Sequence, residues 1–356
     1  MKSVLGIDVG YGFTKWVAID QSGETKRGAF RSIAPITTTH KERSDGGMSA
    51  LSVITVGVGQ NNYVVGKDAY LETLASYERT RLTHYSQTDG YRALTLGAIA
   101  ISGLREIDQL VIGLPISTLA TYNALMSKQY AGEHLIGALG AKRKAAAMVS
   151  NVTVISQPAG AMLDAVNQNP AMRKSTNLVI DMGYYTMDFL MCNGLKPFYP
   201  RSGAVEGGMS GYYDHLAELV QQKTAGTGMP AVNKIDHFRL ENAISAPQVM
   251  ADGSLAYQFQ VGNKMVDITE CVELAQSRLV EYLERMITTL GGSTFGTINS
   301  VILAGGGARL LRPVIEKLIG DNHEYLVLKD SQYAIANGYA HLAWNLSKRA
   351  EVASVE

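Results

Sequence analysis

Over the first 70 positions, short β-rich runs alternate with turn residues: Val4–Val9, Phe13–Ile19, a turn at Asp20–Gly23, then Ser52–Val56 and Tyr63–Val65. This spacing predicts an antiparallel meander. From residue 68 the apolar positions take up a helical period, near 68–78, 91–106 and 117–131, with one strand, Gln109–Leu114, between the last two. A further strand, Val152–Ile155, runs into Gln157-Pro158, where proline suits the first turn of a helix that Pro170 bounds downstream. A first lobe over 1–170 is expected.

The second half repeats the opening theme. Asn177–Asp181, Thr186–Cys192 and Leu195–Arg201 read as strands, with Asn193-Gly194 as a two-residue hairpin turn. Segment 224–266 is polar and glycine-containing, a candidate small insertion. Between Asp267 and Leu290, apolar residues at Val272, Ala275, Leu279, Leu283, Met286 and Leu290 form one stripe, with Asp267 and Glu270 as a capping-box-like start and Gly291-Gly292 as the stop. Ser300–Ala304 is a strand ending in Gly305-Gly306-Gly307, Ala308–Ile319 a helix, Tyr325–Leu328 an edge strand and Ser331–Leu346 a final helix. A second lobe over 171–330 follows, with 331–356 packing back on the first.

Length agrees with two lobes, since 356 residues exceed the roughly 100–200 of one domain. Hydrophobic residues make up 46% and charged residues 18%, against a usual ~25%, so much surface must be buried. Lys+Arg and Asp+Glu balance at 32 each, which leaves no overall basic field; direct DNA binding is not expected, and any DNA partner needs an adaptor or a local patch. Cys192 and Cys271 are far apart, in no metal-type spacing, which argues against a disulfide scaffold or thiolate zinc site. No signal-peptide pattern opens the chain, and the longest apolar stretch, Leu94–Leu104, is about half the ~20 residues of a spanning helix. A cytoplasmic protein without a membrane partner is expected.

Chemistry enters through an internal repeat: LGIDVGYGFTK at 5–15 and LVIDMGYYTMD at 178–188. Each copy is a strand, an aspartate, a glycine, a tight turn and a threonine, and the aspartates stand 173 positions apart. Glycines let the backbone approach a ligand, successive N–H groups form an anion-holding nest, and the hydroxyl and Lys15 add donors. Two such hairpins facing each other clamp a triphosphate. An aspartate at each strand end, Asp8 and Asp181, suits Mg²⁺, which keeps most of its waters and takes one or two carboxylates. Gly305-Gly306-Gly307 offers glycine backbone at a helix N-terminus as a third element. The seven histidines show no ligand spacing, and Lys142-Arg143-Lys144 is a short basic run typical of a solvated face.

The order DxGxGxTK, QPAGA, DMGxxTxD, LAGGGA resembles the phosphate-1, connect-1, phosphate-2 and adenosine motifs of the actin, sugar-kinase and heat-shock-chaperone ATPase superfamily. Within it, GLPISTLATY at 113–122 and SQYAIANGYAHL at 331–342 are similar to elements of the ParM (StbA) plasmid-segregation actin-like family. The resemblance spans Val4 to about Leu346. It implies an α/β, two-lobed actin-like ATPase fold, with duplicated RNase H-like domains around a nucleotide cleft that binds ATP and Mg²⁺. By resemblance, Asp8, Gly10, Gly12, Thr14 and Lys15 meet the phosphates from one lobe, and Asp181, Gly183 and Thr186 from the other. Gln157 stands where the superfamily places Glu or Gln to orient the attacking water. Gly305, Gly306 and Gly307 lie along the adenosine, Glu273 or Gln276 reaches the ribose, Ser210 is a further candidate, and Asp188 is read as a hairpin-ending charge without a ligand. The implied function is a head-to-tail filament that forms with ATP, hydrolyses it, and moves plasmid DNA through a DNA-binding adaptor. A small-molecule kinase or a chaperone-like ATPase of the same superfamily is the alternative.

Overall fold

The computed structural model describes residues 2–38, 51–73, 82, 84–225 and 235–353. Two large sheets of matching topology carry the chain. In the first, Thr25–Arg31, Phe13–Ile19, Val4–Val9, Glu106–Leu114, Ala145–Ser156 and Gly132–Ile136 lie side by side in that order. In the second, Lys196–Pro197, Thr186–Asn193, Thr176–Met182, Ser300–Ala304 and Glu324–Val327 do the same, with Gly203–Glu206 also paired to Thr186–Asn193. Each sheet opens with an antiparallel hairpin and continues through parallel strands that need helical crossovers.

Several elements depart from the sequence expectation. The opening meander splits, because Ile36–Thr37, Asn61–Gly66 and Val53–Val58 form a separate three-stranded sheet. Thr25–Arg31 is an added edge strand; its charged, glycine-containing sequence carries no strand pattern, and Gly28 is there because a Cβ would sit 2.8 Å from the Trp16 indole. Of 68–78, Ala69–Glu72 is a single 3₁₀ turn, and 74–78 lies outside the described residues. The 195–201 strand shrinks to Lys196–Pro197, followed by a 3₁₀ turn. Segment 224–266 contributes a helix, His237–Ser245, and two short hairpins. The stripe at 267–290 is two helices, Thr269–Ala275 and Ser277–Leu290, broken at Gln276. Asp267 accepts the Thr269 N–H at 2.8 Å as an Asx turn, while Ile268 holds the cap position, so no capping box forms.

Three hydrophobic clusters form the core. Leu5, Ile7 and Val9 face the outside of the first sheet, and Leu178, Ile180 and Met182 the outside of the second. Val4, Val17, Val111, Val179, Leu190 and Ile302 face inward, onto the helices Gln157–Gln168 and Ala334–Ala353, which are packed between the two sheets. These helices approach closely enough that a Cβ at Gly338 would meet the Gly160 carbonyl oxygen at 1.8 Å.

Asp164 is buried in this layer, where Gln168 Nε2 donates to Oδ2 at 2.8 Å and the Asn337 side chain also donates. Burial pushes its carboxyl up to about 7 against those two hydrogen bonds, with the Asp330 charge adding a smaller push. The folded chain therefore holds this proton more tightly than the unfolded chain, whose carboxyl titrates near ~3.9. That contribution is complete below about pH 4 and is lost as pH rises towards 7. Thermal melts of wild type and Asp164→Asn at pH 5 and pH 8 are expected to differ in slope. The variant should keep about 1–3 kcal/mol more of its pH 5 stability at pH 8; parallel losses in the two proteins would mean that Asp164 does not titrate there.

Candidate functional site

Side chains alternate across a strand, so the residues continuing the inward-facing Val4, Val17, Val179 and Leu190 are Asp8, Lys15, Asp181 and Asp188. All four stand at the same ends of the two hairpins, on the faces the sheets turn to each other. In the first hairpin the Gly10 N–H donates to the Phe13 carbonyl at 3.1 Å and Asp8 pairs across from Lys15. Lys15 Nζ donates to Asp8 Oδ2 at 2.9 Å, and Gln157 Nε2 to Asp8 Oδ1 at 3.2 Å. Gln157 is the first residue of its helix, with Pro158 behind it, which aims the half-buried amide at Asp8. Burial alone would lower the Lys15 ammonium, but the charge of Asp8, their hydrogen bond and the charge of Asp181 together raise it.

The second hairpin repeats the geometry: Gly183 N–H donates to the Thr186 carbonyl at 3.0 Å, and Asp181 pairs across from Asp188. Here an acid takes the place of the lysine. Burial, then the charges of Asp8 and Asp188, push Asp181 up to about 7, with Lys15 opposing. Burial takes Asp188 to about 6, opposed by the Thr186 hydroxyl, which donates to Oδ2 at 2.7 Å, and by the Ile116 N–H.

One part of the repeat is corrected. The equivalent of Thr186 is Phe13, since both accept the hairpin's first glycine N–H; Thr14 is one position further on. A one-residue offset turns a strand side chain to the opposite face. Thr14 is fully buried towards the outer core, its hydroxyl 3.0 Å from that of Ser32, whereas Thr186 faces the cleft.

The glycine triplet closes the site from the second lobe. Gly305 has φ +85°, and a Cβ there would meet Asp181 Oδ1 and the Met182 carbonyl, each at 2.6 Å. A Cβ at Gly307 would strike Met182 and Met209, while one at Gly306 would meet open space. The helix Met209–Thr224 is docked on the same hairpin: Met209 N–H donates to the Gly183 carbonyl at 3.0 Å and Ser210 N–H to that of Tyr184 at 2.8 Å. Glu273 is exposed, and its charge is felt by Tyr257; the charges acting on Asp181 are Asp8, Asp188 and Lys15. Gln276 marks the helix break, half-buried. The Lys142–Lys144 run is exposed.

Aromatic residues in the loop tips were not singled out from the sequence. Tyr11 stacks on Tyr85 at 4.3 Å and meets Tyr185 edge-on at 4.9 Å, so the two hairpins touch. The Tyr184 hydroxyl is 2.7 Å from His237 Nδ1, which ties the second hairpin to the helix His237–Ser245. Across the cleft mouth, the Arg31 guanidinium lies 3.3 Å from the Phe238 ring centre and 3.8 Å from Glu241. The signal for these contacts was the excess of tyrosine, 18 against 7 phenylalanines.

The donor set fits a magnesium nucleotide. Three buried carboxylates, Asp8, Asp181 and Asp188, face one ammonium, Lys15, so the site is short of positive charge. Among the described residues no three His, Cys, Asp or Glu side chains converge as a metal cage.

Two lobes of repeated topology, with paired aspartate hairpins facing each other and a glycine turn beside them, define the actin-like class. Family models agree: the actin-like protein N-terminal domain matches residues 6–160, and the C-terminal domain of the archaeal actin homologue MreB-like proteins matches 179–317. The chain belongs to the actin-like proteins. An archaeal actin homologue of Thermoplasma volcanium is 26% identical, with 96% of this chain and 98% of that protein covered. Crystal structures share the fold: an archaeal actin homologue at TM-score 0.72 and 23% identity, covering 97% of this chain and 99% of that one, and the pSK41 ParM protein at 0.67 and 19%, covering 98% and 99%. A 15-stranded ParM filament from Clostridium botulinum has TM-score 0.70 at 17% identity, with 97% and 99% covered. These likenesses of fold support the ParM-type resemblance. Among the described residues no helix is long and apolar enough to cross a membrane.

Proposed function

We propose that the chain is a Mg²⁺-dependent ATP hydrolase that assembles head to tail with ATP and moves DNA, such as a plasmid, through an adaptor in the cytoplasm. The observation carrying this reading is the pair of hairpins that set Asp8 and Asp181 against each other on the inner faces of two lobes. Gly10, Gly12 and Lys15 from one hairpin and Gly183 and Thr186 from the other would hold the phosphates, with Gly306 along the adenosine. Asp8 and Asp181 would hold the ion through its waters. Bound Mg²⁺ supplies positive charge to the phosphate oxygens. Gln157, hydrogen-bonded to Asp8, orients a water; an amide is no full base, which suits slow turnover.

The archaeal homologue crystallised with ADP and the ParM filament support nucleotide use and self-assembly here. A head-to-tail contact whose rotation does not close gives an open polymer, and a nucleotide binding both hairpins favours one lobe orientation. Light scattering of the purified protein is expected to rise above a critical concentration on adding Mg-ATP and then decay, with random duplex DNA unshifted at moderate salt. A protein that stays monomeric with ATP and phosphorylates a small molecule would instead be the kinase of the same superfamily.

A further inference from the structure

The closing helix, Ala334–Ala353, sends Tyr339 into a slot cut by glycine in three other elements. A Cβ at Gly113 would lie 1.6 Å from the Tyr339 Oη, one at Gly160 2.5 Å from its Cε1, and one at Gly6 2.8 Å from its Cβ. The side chain is fully buried, and its hydroxyl has no hydrogen-bond partner. Burial, reinforced by the charge of Asp8, by Tyr91, and by the smaller effects of Asp181 and then Asp188, keeps the phenol protonated far above its ordinary range, so the oxygen is a standing donor.

Six buried side-chain atoms among the described residues lack hydrogen-bond partners, though His215 Nδ1 lies 3.5 Å from Glu218 Oε2. Trp16 and Tyr130 belong to the outer core of the first lobe, Ser156 pairs across from the outward-facing Leu114, and His215 lies on the helix Met209–Thr224. The remaining two, Tyr339 Oη and Asp188 Oδ1, share the inward face. One is a donor without an acceptor and the other an acceptor without a donor. A buried polar group left unpaired costs about 1–3 kcal/mol, and phenylalanine would fill the same slot without that cost.

We infer that Tyr339 is a positioning residue whose hydroxyl donates, through one ordered water, to Asp188 Oδ1. Such a water has the two polar partners it needs, and the Ile116 N–H lies beside the same carboxylate. The link continues through Asp188 Oδ2 to the Thr186 hydroxyl and so to the second nucleotide hairpin, while the helix carrying Tyr339 packs on the one that begins at Gln157. The closing helix thereby fixes the orientation of a carboxylate in the other lobe.

The structural arm of the test is independent of the proposed ATPase: high-resolution crystal structures of nucleotide-free wild type and Tyr339→Phe. A water within hydrogen-bond reach of both oxygens, lost in the variant with the ring unmoved, is the expected result; no such water in wild type overturns the inference. The kinetic arm rests on the ATPase reading. Tyr339→Phe should lower kcat about tenfold, the effect of one hydrogen bond to a charged group, with KM for ATP within about twofold. Adding Tyr339→Phe to Asp188→Asn should cost nothing more; additive losses, or a parental kcat in Tyr339→Phe, overturn the role. If wild type hydrolyses no ATP, the function proposal fails, and the crystallographic arm still decides this one.

Discussion

Asp181→Ala is expected to fold and to lose ATP hydrolysis by roughly two to three orders of magnitude, measured as phosphate release. The carboxylate stands in a site with two other acids and a single ammonium, so only a cation can fully offset its charge. Its pKa of about 7 is the cost of that arrangement without one: the folded chain resists ionising Asp181, and stability falls as pH rises from the unfolded carboxyl's ~4 towards 7. Removing the group relieves the strain, so the variant should melt no lower than wild type at pH 8. Chelating Mg²⁺ should abolish wild-type hydrolysis and leave little more to remove in the variant. Parental turnover in Asp181→Ala would show that this residue does not anchor the ion.

Gln157→Ala is expected to separate assembly from hydrolysis. The amide reaches Asp8 at 3.2 Å, yet Asp8 keeps its shorter contact with Lys15 at 2.9 Å, so the first hairpin retains its charge pairing without Gln157. Nucleotide affinity should stay within a few-fold, while hydrolysis drops by about 100-fold, the scale of a lost positioning or general-base group. Scattering traces that rise with ATP as in wild type but do not decay, with filaments persisting under electron microscopy, are the expected readout. Loss of nucleotide binding would instead assign Gln157 a structural part at the helix start.

The repeat was legible because both copies are local: aspartate at a strand end, glycine in the turn and apolar alternation behind need only neighbours along the chain. The same holds for the glycine triplet and for the helix from Gln157, whose proline presets its first turn. Glu273 and Gln276 show the limit. A helical stripe tells which face is buried, but not which exposed residue of a helix points at a distant ligand.

By itself, then, the sequence determined two lobes of like topology with an acid at the end of each leading strand, since periodicity and turn chemistry are properties of short segments. Tertiary structure alone decided the rest. It set the register by which Thr14 turns outward and Thr186 inward, because a strand offset by one residue exchanges its faces. The edge strands Thr25–Arg31, Gly132–Ile136 and Gly203–Glu206 form only because a neighbour supplies hydrogen bonds that their own residues do not signal. Tyr339 meets three glycines from positions 6, 113 and 160 only once both helices are packed between the sheets, and a contact across such separations leaves no periodic trace in the chain.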